Sequence, residues 1–449
     1  MSNTGLREFF RHTALSVLGT LGVSCYILAD TFFVSKGLGA DGLTALNLAI
    51  PVYNFIHGTG LMLGMGGATR FSVLKSQGNK KEISRVYTNT VYAAAFFSLL
   101  FFAAGLFFSQ PLALMLGADK TVLEMTETYL RWLLLFAPAF IFNDVFLCFV
   151  RNDSAPKLSA AAMLTGSIAN IFLDYIFIFP MGMGIFGAIF ATGLSPVISM
   201  FIMLPHWLKK RHTFHFSAGR RPEAPVIGQA MALGFPSFVT QLSSGIVMIA
   251  FNGIILSLEG NTGVAAYGVV ANLSLVIVAV YTGIAQGVQP LISDSYGRGD
   301  RTGIRIMLRY AMTSMAALSV LFYVLIFVFA QPIAAVFNGE SNPLLQETAE
   351  TGLRLYFISS VFIGYNIILA IFFTSVEKPL PAHILSLLRG LILILPAAFL
   401  FSSLWGMTGV WLACPITECF VALFGFVIER SNQGGTLREN RRKQRTSRH

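Results

Sequence analysis

The stretch LSAAAMLTGSIANIFLDYIFIFP, residues 158–180, decides the fold. Its 23 residues hold a single charge, Asp174, and at 1.5 Å per residue a helix of that length crosses the ~30 Å apolar core of a bilayer. Eleven further apolar runs flank it, at 14–36, 47–74, 89–110, 127–150, 185–208, 228–257, 265–293, 307–331, 350–373, 382–401 and 407–429. The turns between them are too short to fold as a soluble domain. Charged residues make up 12% of the 449 and hydrophobic ones 55%, with a mean hydropathy of +0.69, whereas soluble domains carry about 25% charge. Soluble, disordered, collagenous and coiled-coil classes are excluded. The expected fold is an all-α integral membrane protein of twelve transmembrane helices. Pro51, Pro138, Pro196, Pro236, Pro290, Pro396 and Pro415 fall inside runs, so bent helices are expected. The first run follows Arg7 and Arg11 but lacks a small-residue cleavage site and contains Asp30, which reads as a retained helix.

The net charge of +10 has an address. Loops on the side of the amino terminus carry Lys75, Lys80, Lys81, Arg85, Arg151, Lys157, Lys209, Lys210, Arg211, Arg220, Arg221, Arg298, Arg301, Arg305 and Lys378. The opposite loops carry only Lys36 and Lys120, with acids such as Asp119, Glu259 and Glu340. By the positive-inside rule both termini are cytoplasmic, and the expected location is the plasma (inner) membrane. The terminal run Arg441, Arg442, Lys443, Arg445, Arg448 reads as a solvated tail beside anionic lipid, so no nucleic-acid partner is expected. Cys25, Cys148, Cys414 and Cys419 lie in spans without Cys-x-x-Cys spacing, which suggests neither disulfides nor a zinc site.

The second half repeats the first. Gly66 falls on Gly287, Gly78 on Gly299 and Gln110-Pro111 on Gln331-Pro332, 221 residues apart. Gly184-x-x-Gly187 falls on Gly406-x-x-Gly409, 222 apart, and Asn143 and Pro156 fall on Asn366 and Pro379, 223 apart. Six spans per half is an even number. The two six-helix lobes, residues 1–208 and 227–430, are therefore expected to be related by a pseudo-two-fold axis along the membrane normal, with a cavity between them. Residues 209–226 form the linker and 431–449 the basic tail. Such an architecture points to transport.

Charge inside the spans is rare and informative. Asp30 and Asp174 each lie six residues from the outer end of spans one and five, about 9 Å below the surface, so they can meet. Asn170 lies one turn deeper than Asp174 on the same face. Two carboxylates and an amide in low dielectric can hold a proton or supply hard oxygens to Na+; a buried helix-to-helix hydrogen bond is the plainer alternative. The second lobe has Asn252 and Pro396 near the matching positions, so the acidic pair is not duplicated. Asp144 is expected to partner Arg151 near the membrane interface, Arg389 and Glu418 to form a structural interhelical ion pair, and His57 to be a hydrogen-bonded core histidine. Tyr26 and Phe33 flank Asp30 at one-turn spacing and Met163 lies two turns below Asn170. They are candidates to line a cavity suited to flat organic cations.

Two six-helix halves, Arg151-Asn-Asp-Ser-Ala-Pro-Lys leading into Asn170-Ile-Phe-Leu-Asp174, the Gly184-x-x-Gly187 turn and Gln286-Gly-Val-Gln-Pro290 together resemble the multidrug and toxic compound extrusion (MATE) family over essentially the whole chain. The resemblance implies a cation site of Asp30, Asn170, Asp174 and Thr192, taking H+ or Na+ as the coupling ion with no other cofactor. It implies antiport: export of organic, often cationic, amphipathic compounds in exchange for the ion. The chain departs from branches of the family that use acids in the second lobe, since only Glu418 is present there. A monomer in contact with lipid is expected. A lipid-linked precursor flippase would need a basic cavity. A membrane-embedded enzyme would need clustered His, Cys or acids, and the seven histidines are scattered, so the chain is not expected to be an enzyme.

Overall fold

In the computed structural model the described residues are 3–209, 212–217, 219, 221–338 and 342–446, with side chains from 5 to 430. The counted charges Lys210, Arg211, Arg220, Glu340 and Arg448 fall outside them, and the side chains of Arg441, Arg442, Lys443 and Arg445 fall outside the described side chains. Among the described residues no strand occurs and helices account for nearly everything. Among the described residues eight helices are long and apolar enough to cross a membrane. Three of these contain two spans each: Asn3–Ser76, Ala224–Gly297 and the stretch Pro379–Arg430. Leu123–Leu135 and Ala137–Asn152 meet at 46° and make one broken span. The total is the expected twelve.

The junctions expected as loops inside the three long stretches are helix broken at one residue. Gly39, Gly260 and Gly406 have φ of 70°, 63° and 58°, a left-handed conformation that glycine alone adopts without a Cβ penalty. One such residue redirects the helix, so no polar turn is needed. The prolines behave less uniformly than expected. Pro138 sits at the 46° break and Pro396 follows a π-turn at Leu388–Ile392, but Pro51, Pro196, Pro236, Pro290 and Pro415 lie within continuous helices.

Local geometry carries the repeat. Gly39 and Gly260, and Gly78 and Gly299, share positive φ at an offset of 221, as do Gly184 and Gly406 at 222 and Ser154 and Glu377 at 223. Side-chain caps match as well, Asn79 accepting from Glu82 N and Asp300 from Gly303 N. Burial is organised in two main apolar clusters, one from Val34 to Phe214 and one running from Phe251 to Cys414 with Phe9 added. Large apolar side chains such as Phe96, Leu99, Phe172, Val324 and Phe420 stay exposed at the periphery, as a lipid-facing surface requires.

The lobes meet at the end that bears the termini. A Cβ on Gly66 of span two would overlap the Ala230 carbonyl of span seven, and one on Gly234 would overlap that of Met62. Gly283 and Gly287 of span eight also lie close to Val17 and Thr13 of span one, an added Cβ standing 2.5 and 2.6 Å from their Cα atoms. Hydrogen bonds cross the same seam. Arg151 Nη1 donates to Gln286 Oε1 at 2.6 Å, Asn152 Nδ2 to Gln289 Oε1 at 3.1 Å, Gln289 Nε2 to Thr69 Oγ1 at 3.0 Å, and Arg70 Nη1 to Glu377 Oε1 at 2.7 Å. Toward the far end a crevice opens between Asn47, Ile50 and Pro51 of span two and Gly245, Met248 and Asn252 of span seven.

Candidate functional site

Spans one, five and six bring the expected ion-site residues together inside the first lobe. Asp30 is 8% exposed, Asn170 and Asp174 0% and Thr192 4%. Gly166 makes the close packing of spans five and six possible, its added Cβ standing 3.1 Å from the Ser195 carbonyl oxygen, while Ser195 Oγ donates to the Gly166 carbonyl at 2.9 Å. Asn170 Nδ2 reaches Thr192 Oγ1 at 3.5 Å, and Thr192 Oγ1 donates to the Ala188 carbonyl at 3.0 Å. The carboxylates of Asp30 and Asp174 are near enough to repel one another. Four buried acceptor oxygens here receive no hydrogen bond: Asp30 Oδ1, Asn170 Oδ1 and both carboxylate oxygens of Asp174. Buried polar atoms without a partner are costly and rare. Converging hard acceptors are the donor set that protons or a small hard cation satisfies. Among the described residues no three His, Cys, Asp or Glu side chains converge as metal ligands, so the set does not suit a transition metal.

Tyr129 of span four completes the site and was not anticipated. It is buried and lies close to Thr192 and within the field of both Asp30 and Asp174. A tyrosine two residues inside a span end reads in sequence as an interfacial anchor, and only the fold brings it inward.

Of the proposed cavity residues, Tyr26 is half-buried and its hydroxyl lies 2.7 Å from that of Tyr53. Phe33 packs against Tyr175 and Phe179 of span five, with ring centroids 6.1 Å apart in each pair. Met163 packs its sulfur over Gly19 of span one. Both therefore sit at the contact of spans one and five. One expectation is corrected. Asp144 does not bond Arg151, which donates to Gln286 instead; its Oδ2 lies 2.8 Å from His57 Nδ1. His57 is therefore partnered inside the lobe, by Asp144. Gly60 makes the pairing possible, because a Cβ there would stand 2.6 Å from Asp144 Oδ2. Arg389 and Glu418 do pair, at 2.8 Å, and Asn366 Nδ2 adds a bond of 2.7 Å to Glu418 Oε2.

Comparison with known proteins decides the family. The MatE family model matches residues 16–176 and 236–400, once in each lobe. The chain belongs to the MatE family. It is a multi-pass membrane transporter and not an enzyme. It is 24% identical to the multidrug export protein MepA of Staphylococcus saprophyticus over 413 residues, 92% of this chain and 90% of that protein. It is also 24% identical to MepA of Staphylococcus aureus over 417 residues, with the same coverage. Among solved structures, a multidrug resistance MATE transporter in an outward-facing conformation superposes with a TM-score of 0.89, covering 95% of this chain and 96% of that one at 24% identity. A MOP superfamily transporter from Pyrococcus furiosus gives 0.88, with the same coverage and identity. These likenesses show that the MatE chain has the twelve-span fold.

Proposed function

We propose that this MatE protein is a secondary multidrug efflux antiporter of the plasma membrane, exporting organic, often cationic amphipathic compounds in exchange for inward H+ or Na+. The observation that carries the reading is the set of four donorless acceptor oxygens on Asp30, Asn170 and Asp174. Two carboxylates this deeply buried repel each other and lack hydration. A proton or Na+ arriving between them, with Thr192 as a further oxygen, relieves both penalties and favours the conformation in which the residues are drawn together. An organic cation in the adjoining cavity is held best while Asp30 is charged, so ion entry and drug retention oppose each other. That opposition is the condition for exchange. Residues 1–208 and 227–430 serve as the moving lobes, 209–226 as their linker and 431–449 as a tail, with both termini cytoplasmic. In this orientation the seam of Arg151 and Gln286 closes the cytoplasmic side and the crevice opens outward. A single chain suffices as the transporting unit, with lipid as its surroundings. The MepA relatives, named for multidrug export, agree with this reading.

A flippase for lipid diphosphates is disfavoured because the partly buried cations Arg70 and Arg389 are neutralised, by Glu377 and Glu418, while Arg151 is held by Gln286. The test is efflux of ethidium from proteoliposomes under separate H+ and Na+ gradients, with Asp30→Asn and Asp174→Asn beside wild type. One gradient should drive export by wild type, and each variant should lose at least tenfold. Undiminished gradient-driven export by both variants would overturn the assignment.

A further inference from the structure

A second charged cluster lies in the first lobe, outside the four residues of the ion site. His57 sits near the middle of span two and Asp144 on span four, 2.8 Å apart. The imidazole is 23% exposed and the carboxylate 4%, so a solute can reach the ring and feel the carboxylate behind it. Asp144 Oδ2 receives no aligned hydrogen bond, which leaves its charge only partly compensated when His57 is neutral. The Tyr53 ring stacks on His57, with centroids 5.7 Å apart at 21°, and stands edge-on to Phe140 at 5.8 Å. Tyr53 in turn meets the Tyr26 hydroxyl, one turn from Asp30. The result is an aromatic platform over a buried negative charge, continuous with the ion site through two hydroxyls.

We propose that Tyr53, His57 and Asp144 form an organic-cation subsite whose occupancy is governed by the protonation of His57. The proposal rests on the export reading above and adds to it a second place, with its own titrating group, where drug and proton compete. With Nδ1 turned to Asp144, Nε2 is the atom that gains or loses the proton. When His57 is neutral, the field of Asp144 reaches the platform and a flat cation is held against the ring faces. When His57 takes a proton from water, its charge compensates Asp144 and repels the cation, which leaves. Imidazole is the side chain suited to this exchange between pH 5 and 8. The ionisable groups around His57 are Asp144, with Cys148 and Arg151 beyond it on span four, Tyr53 on its own helix, and Tyr26 and Asp30 on span one. Beside Gly58, span seven presents the uncharged Phe238 and Gln241.

Ethidium binding to the detergent-solubilised full chain, followed by fluorescence at pH 8 and pH 5.5, tests this. Wild type should bind more weakly at pH 5.5. His57→Gln loses a ring face and the titrating group together, so it should bind more weakly than wild type at pH 8 but lose most of the difference between pH 8 and pH 5.5. Asp144→Asn should lose about tenfold at pH 8. On the wild-type chain, ethidium should slow carbethoxylation of His57 by diethyl pyrocarbonate severalfold, read by mass spectrometry, whatever the folding of the variants. A His57→Gln profile that tracks wild type at both pH values, or unprotected His57 in a chain that binds ethidium, would overturn the subsite alone. A wild-type chain that binds no ethidium at any pH would overturn the export reading with it.

Discussion

Arg151 of the first lobe places its guanidinium 2.6 Å from the side-chain oxygen of Gln286 in the second, and both residues are buried. The two sequence motifs that carry them, Arg151-Asn-Asp-Ser-Ala-Pro and Gln286-Gly-Val-Gln-Pro, thus touch across the seam. The repeat supplies a counterpart, because Glu377 occupies the position 223 residues after Ser154 and bonds Arg70 of span two. Corresponding elements of the two lobes thus latch the seam from both sides, through bonds at different positions. Hydrogen bonds to charged groups contribute about 1.5 to 3 kcal/mol, so Arg151→Ala should shift the balance between closed and open forms of this end by roughly 10- to 150-fold. Spin labels at positions 80 and 301 in a cysteine-free chain should show a new, longer distance population in the variant. An unchanged distribution would remove Arg151 from the latch.

The same seam depends on glycine. Because a Cβ on Gly66 or Gly234 would overlap a carbonyl of the facing helix, Gly66→Ala and Gly234→Ala should hold the lobes apart at this end while leaving each lobe folded. Ethidium export should fall at least tenfold with little change in the amount of folded protein recovered. Gly253, which has open space around it, should accept alanine with export intact.

Tyr129 offers a finer test of the ion site. Tyr129 lies beside Thr192, which in turn meets Asn170, so Tyr129→Phe removes one polar neighbour without opening a large cavity. A neutral hydrogen bond contributes about 1 kcal/mol. The cation concentration for half-maximal export should therefore rise by about three- to tenfold, with maximal export retained. A change in maximal export alone would place Tyr129 outside the ion site.

The contrast between Tyr129 and Asp174 shows what was legible in the sequence. Asp174 interrupts an apolar run, and a helical rise of 1.5 Å per residue puts it at the depth of Asp30, so the pair could be found from counting alone. Arg389 and Glu418 were legible for the same reason: a charge in a span needs a partner, and each had one within reach. Proximity along the chain misled for Asp144, because Arg151 is two turns away whereas its real partner, His57, is 87 positions back and meets it only through the absent side chain of Gly60. The glycine breaks at 39 and 260 were equally hidden, since a positive φ leaves no mark in an apolar pattern.

Asp153, in the turn after span four, ties the inter-lobe linker to the first lobe. It accepts from Lys75 Nζ at 2.8 Å, from the Thr213 amide at 2.8 Å and hydroxyl at 2.6 Å, and faces His206 Nε2 at 3.0 Å. Burial pushes its carboxyl upward, but the bonds from His206, Lys75 and Thr213 outweigh that and hold it below the ordinary carboxylate range. A depressed folded value means that the stabilisation is complete above the unfolded value of about 3.9 and is lost as pH falls through the folded value. Asp153→Asn should lower the thermal midpoint at pH 7 and flatten its decline below about pH 4 relative to wild type. Parallel decline in both chains would show that Asp153 does not set the acid limit.

Glu418 and Arg389 test whether a buried pair is structural or part of transport. Glu418 receives bonds from Arg389 Nε and Nη2, at 3.1 and 2.8 Å, and from Asn366. Removing one charge from a buried pair strands the other and costs about 3 to 5 kcal/mol, whereas replacing both with apolar residues of similar volume is often neutral. Arg389→Met alone should therefore lower the thermal midpoint sharply, and the double variant Arg389→Met, Glu418→Leu should recover most of the loss. If the pair only holds spans eleven and twelve together, the double variant should also export ethidium at a rate near that of wild type. Recovered stability with export still abolished would instead place Glu418 in an ion path through the second lobe.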